Sequence, residues 1–427
     1  MPFLNSVLLL NRNTLDAPKY LLHTLPSGLR AALLRTKSRA VYCGFAVLSG
    51  SRDDGPDTPG LAHLVEHMLF KGTQKRRALH INKRMELVGG ALNAYTTKDE
   101  TVFYASAPRG ELVRAMELLA DLVRHASFPE KELRKERVVV ADEINLYKDT
   151  PSDQIFDDWE DLYFDGTPLG HPILGTPESV MTITPEELRD YVRRRYRPER
   201  MVFFCMGQIS ESRFIELADK YLSEPFAPSV PEERPALLLP QKDFSIVRPS
   251  DTHQAHTLLG GKAFSLHESE RLEASLLLNI LAGQSTNSLL NLSLREKHGW
   301  VYGVESSSVA ISDTGWWQIY FGSDPSNASR ALEATLTELS KLRERELPLR
   351  TLLQWKKQIK GQLAMGSENA ESVFLGFGRQ LLHHGDFEGL GETFAKIDAV
   401  TPEALHATAR RLFAPSNISR LILSGKR

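Results

Sequence analysis

His63, Glu66 and His67 are the residues of this sequence whose types and spacing most directly specify chemistry. His63 and His67 stand four positions apart, so on a helix they share one face and two imidazoles can reach one ion, with Glu66 on the same side. The flanks read as a helix over residues 59–71: Thr58 in the capping position, Pro59 in the first turn and Gly72 just past the end. Such a helix has about three and a half turns. Zinc is the metal this donor set suits, because a catalytic zinc takes three protein ligands from among imidazole, thiolate and carboxylate and keeps one position for water. A glutamate that is not a ligand is then placed to act as the general base. The plainer reading is a pair of hydrogen-bonded core histidines. The order HxxEH arises by chance in only about a few per cent of chains with this histidine content, which weighs against it.

The helix that carries the histidines cannot itself supply a third ligand. A second helix, residues 130–147, places Glu136, Val140, Glu143 and Tyr147 on one face, and Leu133, Val139 and Ile144 predict that it packs inward. Carboxylates at a packed face are costly without a cation or hydrogen-bond donors to compensate them. Glu136 has two readings, a half-exposed partner of Lys135 or Arg137 or a compensating group near a cation. Glu143, among Val139, Val140 and Ile144, is harder to explain without a cation.

Positioning these helices takes an α+β framework. Residues 223–242 hold prolines at 225, 228, 231, 235 and 240 without periodicity, and read as a linker between domains 1–222 and 243–427. The halves run in parallel: strands near 41–50 and 256–262 each lead to a helix, then to a strand pair (91–96 and 101–107; 301–308 and 315–322), then to two long helices. That is an internal duplication. Leu112, Met116, Leu119 and Val123 form one apolar helical stripe.

With 41% hydrophobic and 25% charged residues and a net charge of -2, the chain belongs with globular proteins and lacks the basic field of a nucleic-acid binder. Its two cysteines, Cys43 and Cys205, lie in apolar runs and read as packing residues, not a disulfide framework. Residues 1–10 are apolar without a preceding cationic segment and no stretch reaches membrane-spanning length, so the expectation is a cytoplasmic protein with no membrane partner.

His63–Gly72 (HxxEH, then Phe70-Lys71-Gly72), Glu136–Glu143 (ExxVVxxE) and the segment Leu294-Arg295-Glu296-Lys297-His298-Gly299-Trp300-Val301-Tyr302 together resemble the pitrilysin-like (M16) inverzincin zinc metallopeptidases, in the short two-domain form of the mitochondrial processing peptidase subunits. The resemblance implies Glu143 as third zinc ligand beside His63 and His67, Glu136 as an assisting carboxylate and Glu66 as base, with one Zn2+ per chain. It implies that Arg295 and Tyr302 contact substrate, that Tyr302 steadies the oxyanion, and that Asn93, Ala94 and Tyr95 lie on an edge strand that pairs with extended peptide. The implied fold is two duplicated units, each a mostly antiparallel sheet covered by helices, forming half of a clamshell chamber. A closed chamber then calls for a dimer, of two copies or of this chain with a relative, cleaving extended peptides or unfolded segments. A non-catalytic scaffold or silent partner of a heterodimer is the alternative.

Overall fold

The run Met-Val-Phe-Phe-Cys-Met at 201–206 lacks polar alternation, and in the computed structural model the reason is that its strand lies inside a sheet covered on both faces. The structure describes residues 20–226, 234, 237 and 242–426; the apolar opening (1–10) and most of the proline-rich linker lie outside the described residues. The chain runs β1 (Tyr20–Thr24), β2 (Arg30–Arg35), β3 (Ala40–Val47), α1 (Leu61–Leu69), α2 (Ala78–Glu86), β4 (Ala91–Thr96) and β5 (Thr101–Pro108). There follow α3 (Leu112–His125), α4 (Glu130–Lys148), α5 (Pro151–Phe164), α6 (Pro177–Thr182), α7 (Pro185–Arg195), β6 (Met201–Gly207) and α8 (Glu211–Leu222). The second half runs β7 (Ser245–Pro249), β8 (Ala255–Lys262), α9 (Arg271–Ala282), β9 (Val301–Ala310), β10 (Gly315–Ser323), α10 (Ala328–Glu344) and α11 (Leu349–Gly366). It closes with α12 (Ala370–His384), α13 (Leu390–Ala399), α14 (Pro402–Leu412) and β11 (Ser419–Ser424).

The duplication is explicit in the sheets. One has the order β1-β2-β6-β3-β5-β4 and the other β7-β11-β8-β10-β9, the same order without a counterpart of β1. In each sheet a single pair is parallel, β2 with β6 and β7 with β11, and all other pairs are antiparallel. The mostly antiparallel α+β architecture is therefore as expected. Cys43 and Cys205 are buried cross-strand neighbours in the first sheet, both free.

The compact units do not follow the boundaries 1–222 and 243–427. One comprises the chain up to Ile144, Pro172–Ala236 and Gly366–Glu392; the other comprises Asn145–His171, Leu237–Met365 and the chain from Thr393. The physical reason is that each sheet needs a cover on its second face. In the first unit Phe374, Phe377 and Leu381 of α12 pack on Val202, Phe204 and Met206 of β6. In the second, Ile155 and Trp159 of α5 pack with Leu258 and Leu421. Helices at equivalent places in the two halves of the sequence are thus exchanged.

Candidate active site

Helix α1 begins later than its sequence suggests. Thr58 is not its cap: Gly60 takes the left-handed conformation (φ 90°), and the carboxylate of Asp54 accepts the N–H groups of Gly60 (2.8 Å) and Ala62 (2.9 Å). A side chain at Gly60 would meet the Leu174 carbonyl, its Cβ 2.5 Å from that oxygen, so glycine is required there. The helix is fixed at its first turn and directs His63, Glu66 and His67 toward α4.

Among the described residues one group of side chains has ligand atoms close enough to hold a metal: those of His63, His67 and Glu143 all lie within 4.8 Å of one another. Glu143 Oε2 is 3.9 Å from His63 Nε2 and 3.6 Å from His67 Nε2. These separations are too long for hydrogen bonds. They suit a tetrahedral zinc, whose bonds of about 2.1 Å set neighbouring ligand atoms about 3.4 Å apart. His63 Nδ1 is buried without a hydrogen-bond partner among the described residues. Burial first, and then the neighbouring His67, hold the His63 pKa down to about 3, so this imidazole is neutral and keeps a lone pair for a metal. The donor set and its spacing fit zinc.

His67 is oriented from behind. Its Nδ1 is 3.0 Å from Glu136 Oε1, and the other carboxylate oxygen accepts from Lys71 Nζ at 2.7 Å. With Nδ1–H donated, the Nε2 lone pair faces the cluster. Burial alone would raise the Glu136 pKa, but the bonds to His67 and Lys71 outweigh it and hold the carboxylate below its usual range. Glu136 is only 5% exposed, which decides between its two sequence readings: it serves the site and not a surface pair with Lys135 or Arg137. The expectation that Val139 faces inward fails, since it is 50% exposed; Leu133, Val140 and Ile144 form the buried face, and Glu143 stands at its border. Glu66 is buried, and its Oε2 accepts from Thr96 Oγ1 at 2.5 Å. Burial raises its pKa despite the opposing effects of Thr96 and His67, a direction suited to a base that must work near neutrality.

Thr96 ends β4, which is an edge strand of the first sheet, as expected. Along it Asn93 is exposed and Ala94 and Tyr95 are half-buried, and the Tyr95 hydroxyl donates to Glu100 Oε1 at 3.3 Å. Arg295 and Tyr302 belong to the other unit. A π-helical turn at Asn291–Glu296 carries exposed Arg295. Tyr302, the second residue of β9, is 60% exposed, and its hydroxyl donates to Asp324 Oδ1 at 2.9 Å. Three residues of the site escaped the sequence reading. Lys71 carried a signal, its place four residues after His67; Thr96 lies in a strand already singled out; Asp54 had no local signal.

A histidine pair, a glutamate between them and a carboxylate from a following helix, on one of two duplicated sheet-and-helix units, are the arrangement of the inverzincin class of metallopeptidase fold. Residues 30–177 match Insulinase (Peptidase family M16), and residues 182–358 match the Peptidase M16 inactive domain. A Bacillus subtilis protein named uncharacterized zinc protease YmxG is 32% identical over 404 residues, spanning 94% of this chain and 97% of that protein. An uncharacterized zinc protease of Streptomyces coelicolor is 30% identical over 91% of this chain and 86% of its own length. A protease from Helicobacter pylori superposes with a TM-score of 0.89 at 21% identity, covering 96% of this chain and 100% of that one. The chain belongs to peptidase family M16. Consistent with the second match, α9, which follows β8 as α1 follows β3, contains no histidine. No described helix is long and apolar enough to cross a membrane.

Proposed function

We propose that this protein is a zinc-dependent endopeptidase that hydrolyses peptide bonds in extended peptides or unfolded segments. The observation that carries the reading is the cluster of His63, His67 and Glu143, spaced for a metal and not for one another, with the buried carboxylate of Glu66 beside it. Zinc, when held by these three residues, supplies Lewis acidity that polarises a peptide carbonyl and makes water a stronger acid. Glu66 takes the proton from the attacking water at Oε1, the oxygen that Thr96 leaves free. Water oxygen bonds to the carbonyl carbon, the C–N bond breaks, and Glu66 returns the proton to the leaving amine. Glu136 holds His67 in register throughout.

Substrate main chain would add to the edge strand β4 at Asn93, Ala94 and Tyr95, an interaction that tolerates many sequences because it runs through backbone bonds. Arg295 and Tyr302 are assigned substrate contacts, with Tyr302 as donor to the oxyanion. Its hydroxyl proton is shared with Asp324, so this role requires the oxyanion to outcompete a carboxylate. Two units per chain are assigned half of a chamber, completed by a second copy or a related chain; full activity of a monomer at high dilution would count against this.

The test is cleavage of a mixed pool of unstructured peptides by the wild type and Glu66→Gln, with zinc measured on both. Expected are cleavage by the wild type alone and about one zinc per chain in each. Zinc without cleavage by the wild type points instead to a silent partner of a heterodimer, and no zinc overturns the metal centre.

A further inference from the structure

We propose that Thr96 is a positioning residue for Glu66, holding one oxygen of the carboxylate and tying the orientation of the base to the strand assigned to peptide pairing. The inference rests on the reading of Glu66 as the base. Thr96 Oγ1 lies 2.5 Å from Glu66 Oε2. The terminal torsion of a glutamate is broad, so a carboxylate without a fixed partner presents either oxygen over a wide arc. Here a bond at Oε2 leaves Oε1 as the free acceptor.

The hydroxyl is itself fixed. Thr96 pairs with Thr101 at the end of the β4–β5 ladder. Thr101 Oγ1 donates to the Ser49 carbonyl at 2.8 Å, and its contact with Thr96 Oγ1 is long, 3.5 Å, against 2.5 Å from Thr96 to Glu66, so the Thr96 proton goes to the carboxylate. The turn that follows is closed by Thr97 N–H to the Glu100 carbonyl (2.8 Å), and by Ser51 N–H to the Thr97 carbonyl (3.0 Å). The threonine thus stands on backbone held from both sides, and its side chain reaches from the substrate-pairing strand to the metal helix. An Asn-Ala-Tyr stretch that docks peptide and a threonine that aims the base are parts of one six-residue strand.

The test compares Thr96→Val, which removes the hydroxyl and keeps the branched shape, with Thr96→Ser, which keeps the hydroxyl; Thr96→Ala replaces the valine variant if that does not fold. Zinc content, kcat and KM on an unstructured peptide, and thermal midpoints are measured, the last also in a Glu66→Ala background. Expected is a fall in kcat of about 10- to 100-fold for Thr96→Val with KM within about twofold, and recovery by Thr96→Ser to within about threefold. Zinc content stays unchanged, and the shift in midpoint caused by Thr96→Val shrinks when Glu66 is already alanine, which leaves the hydroxyl no acceptor there. Wild-type kcat in Thr96→Val while Glu66→Gln is silent would overturn this proposal and leave the peptidase reading standing. Activity retained by Glu66→Gln would overturn the assignment of the base itself. Additive midpoint shifts in the double variant would also overturn the proposal, whatever the activity.

Discussion

Glu136 is the most buried carboxylate of the site, and each of its oxygens has one partner, His67 on one side and Lys71 on the other. Replacing it by glutamine keeps the shape and removes the charge that favours Nδ1–H on His67, and leaves one neutral amide oxygen where two carboxylate oxygens served His67 and Lys71, so the imidazole is held more weakly. Glu136→Gln is predicted to weaken zinc binding by about 10- to 100-fold, measured by competition with a chelator of known affinity. Lys71→Met acts one step further out, through Glu136, and shifts the affinity in the same direction by less. Wild-type affinity in Glu136→Gln would show that the charge of Glu136 is not what holds His67 in place. Removing zinc altogether with an excess of chelator is predicted to abolish cleavage and re-addition to restore it, with the fold retained, because the helices that carry the cluster are anchored in a large apolar core that does not depend on it.

The order HxxEH was legible because helical periodicity is local: residues three and four apart meet whatever the rest of the chain does. How α1 starts was not, because its cap comes from Asp54, six residues before Gly60 and across a loop. Periodicity also gave α4 a face without giving its depth. Val139 sits 60° or so from Glu136 around an ideal helix, and that step is enough to take it from the packed face to solvent while Val140 and Ile144 stay buried. Asp54→Ala removes the acceptor for two N–H groups at the first turn of α1, and is predicted to lower stability by about 1–2 kcal/mol in chemical denaturation. Gly60→Ala should cost at least as much, since it combines a left-handed backbone with a close carbonyl. An unchanged denaturation midpoint in both variants would mean that neighbouring packing, not these end contacts, sets the helix in place.

At the scale of the molecule, the succession of elements along the chain and the duplication could be read in the sequence, because apolar runs and turn residues recur in the same order in both halves. The exchange of α5 and α12 could not, because an amphipathic helix carries no mark of which sheet it covers. Yet the exchange decides what the two halves can do apart. Residues 1–226 lack α12, and so leave Val202, Phe204 and Met206 without Phe374, Phe377 and Leu381. At about 2 kcal/mol for each buried apolar side chain, those three helix residues contribute about 6 kcal/mol. The whole stability of a domain is only about 5–15 kcal/mol. Residues 242–427 in turn lack Ile155 and Trp159 of α5. Neither fragment is expected to fold by itself, whereas the two produced together should copurify, each supplying the helix the other needs. The close seat of α12 offers a milder version of the same experiment: a side chain at Gly378 would run into the ring of Phe204, and Gly378→Ala should cost about 1–3 kcal/mol by overpacking. A soluble, cooperatively melting fragment 1–226 would show that the first sheet tolerates an uncovered face, and that α12 is an accessory to the unit instead of part of its core.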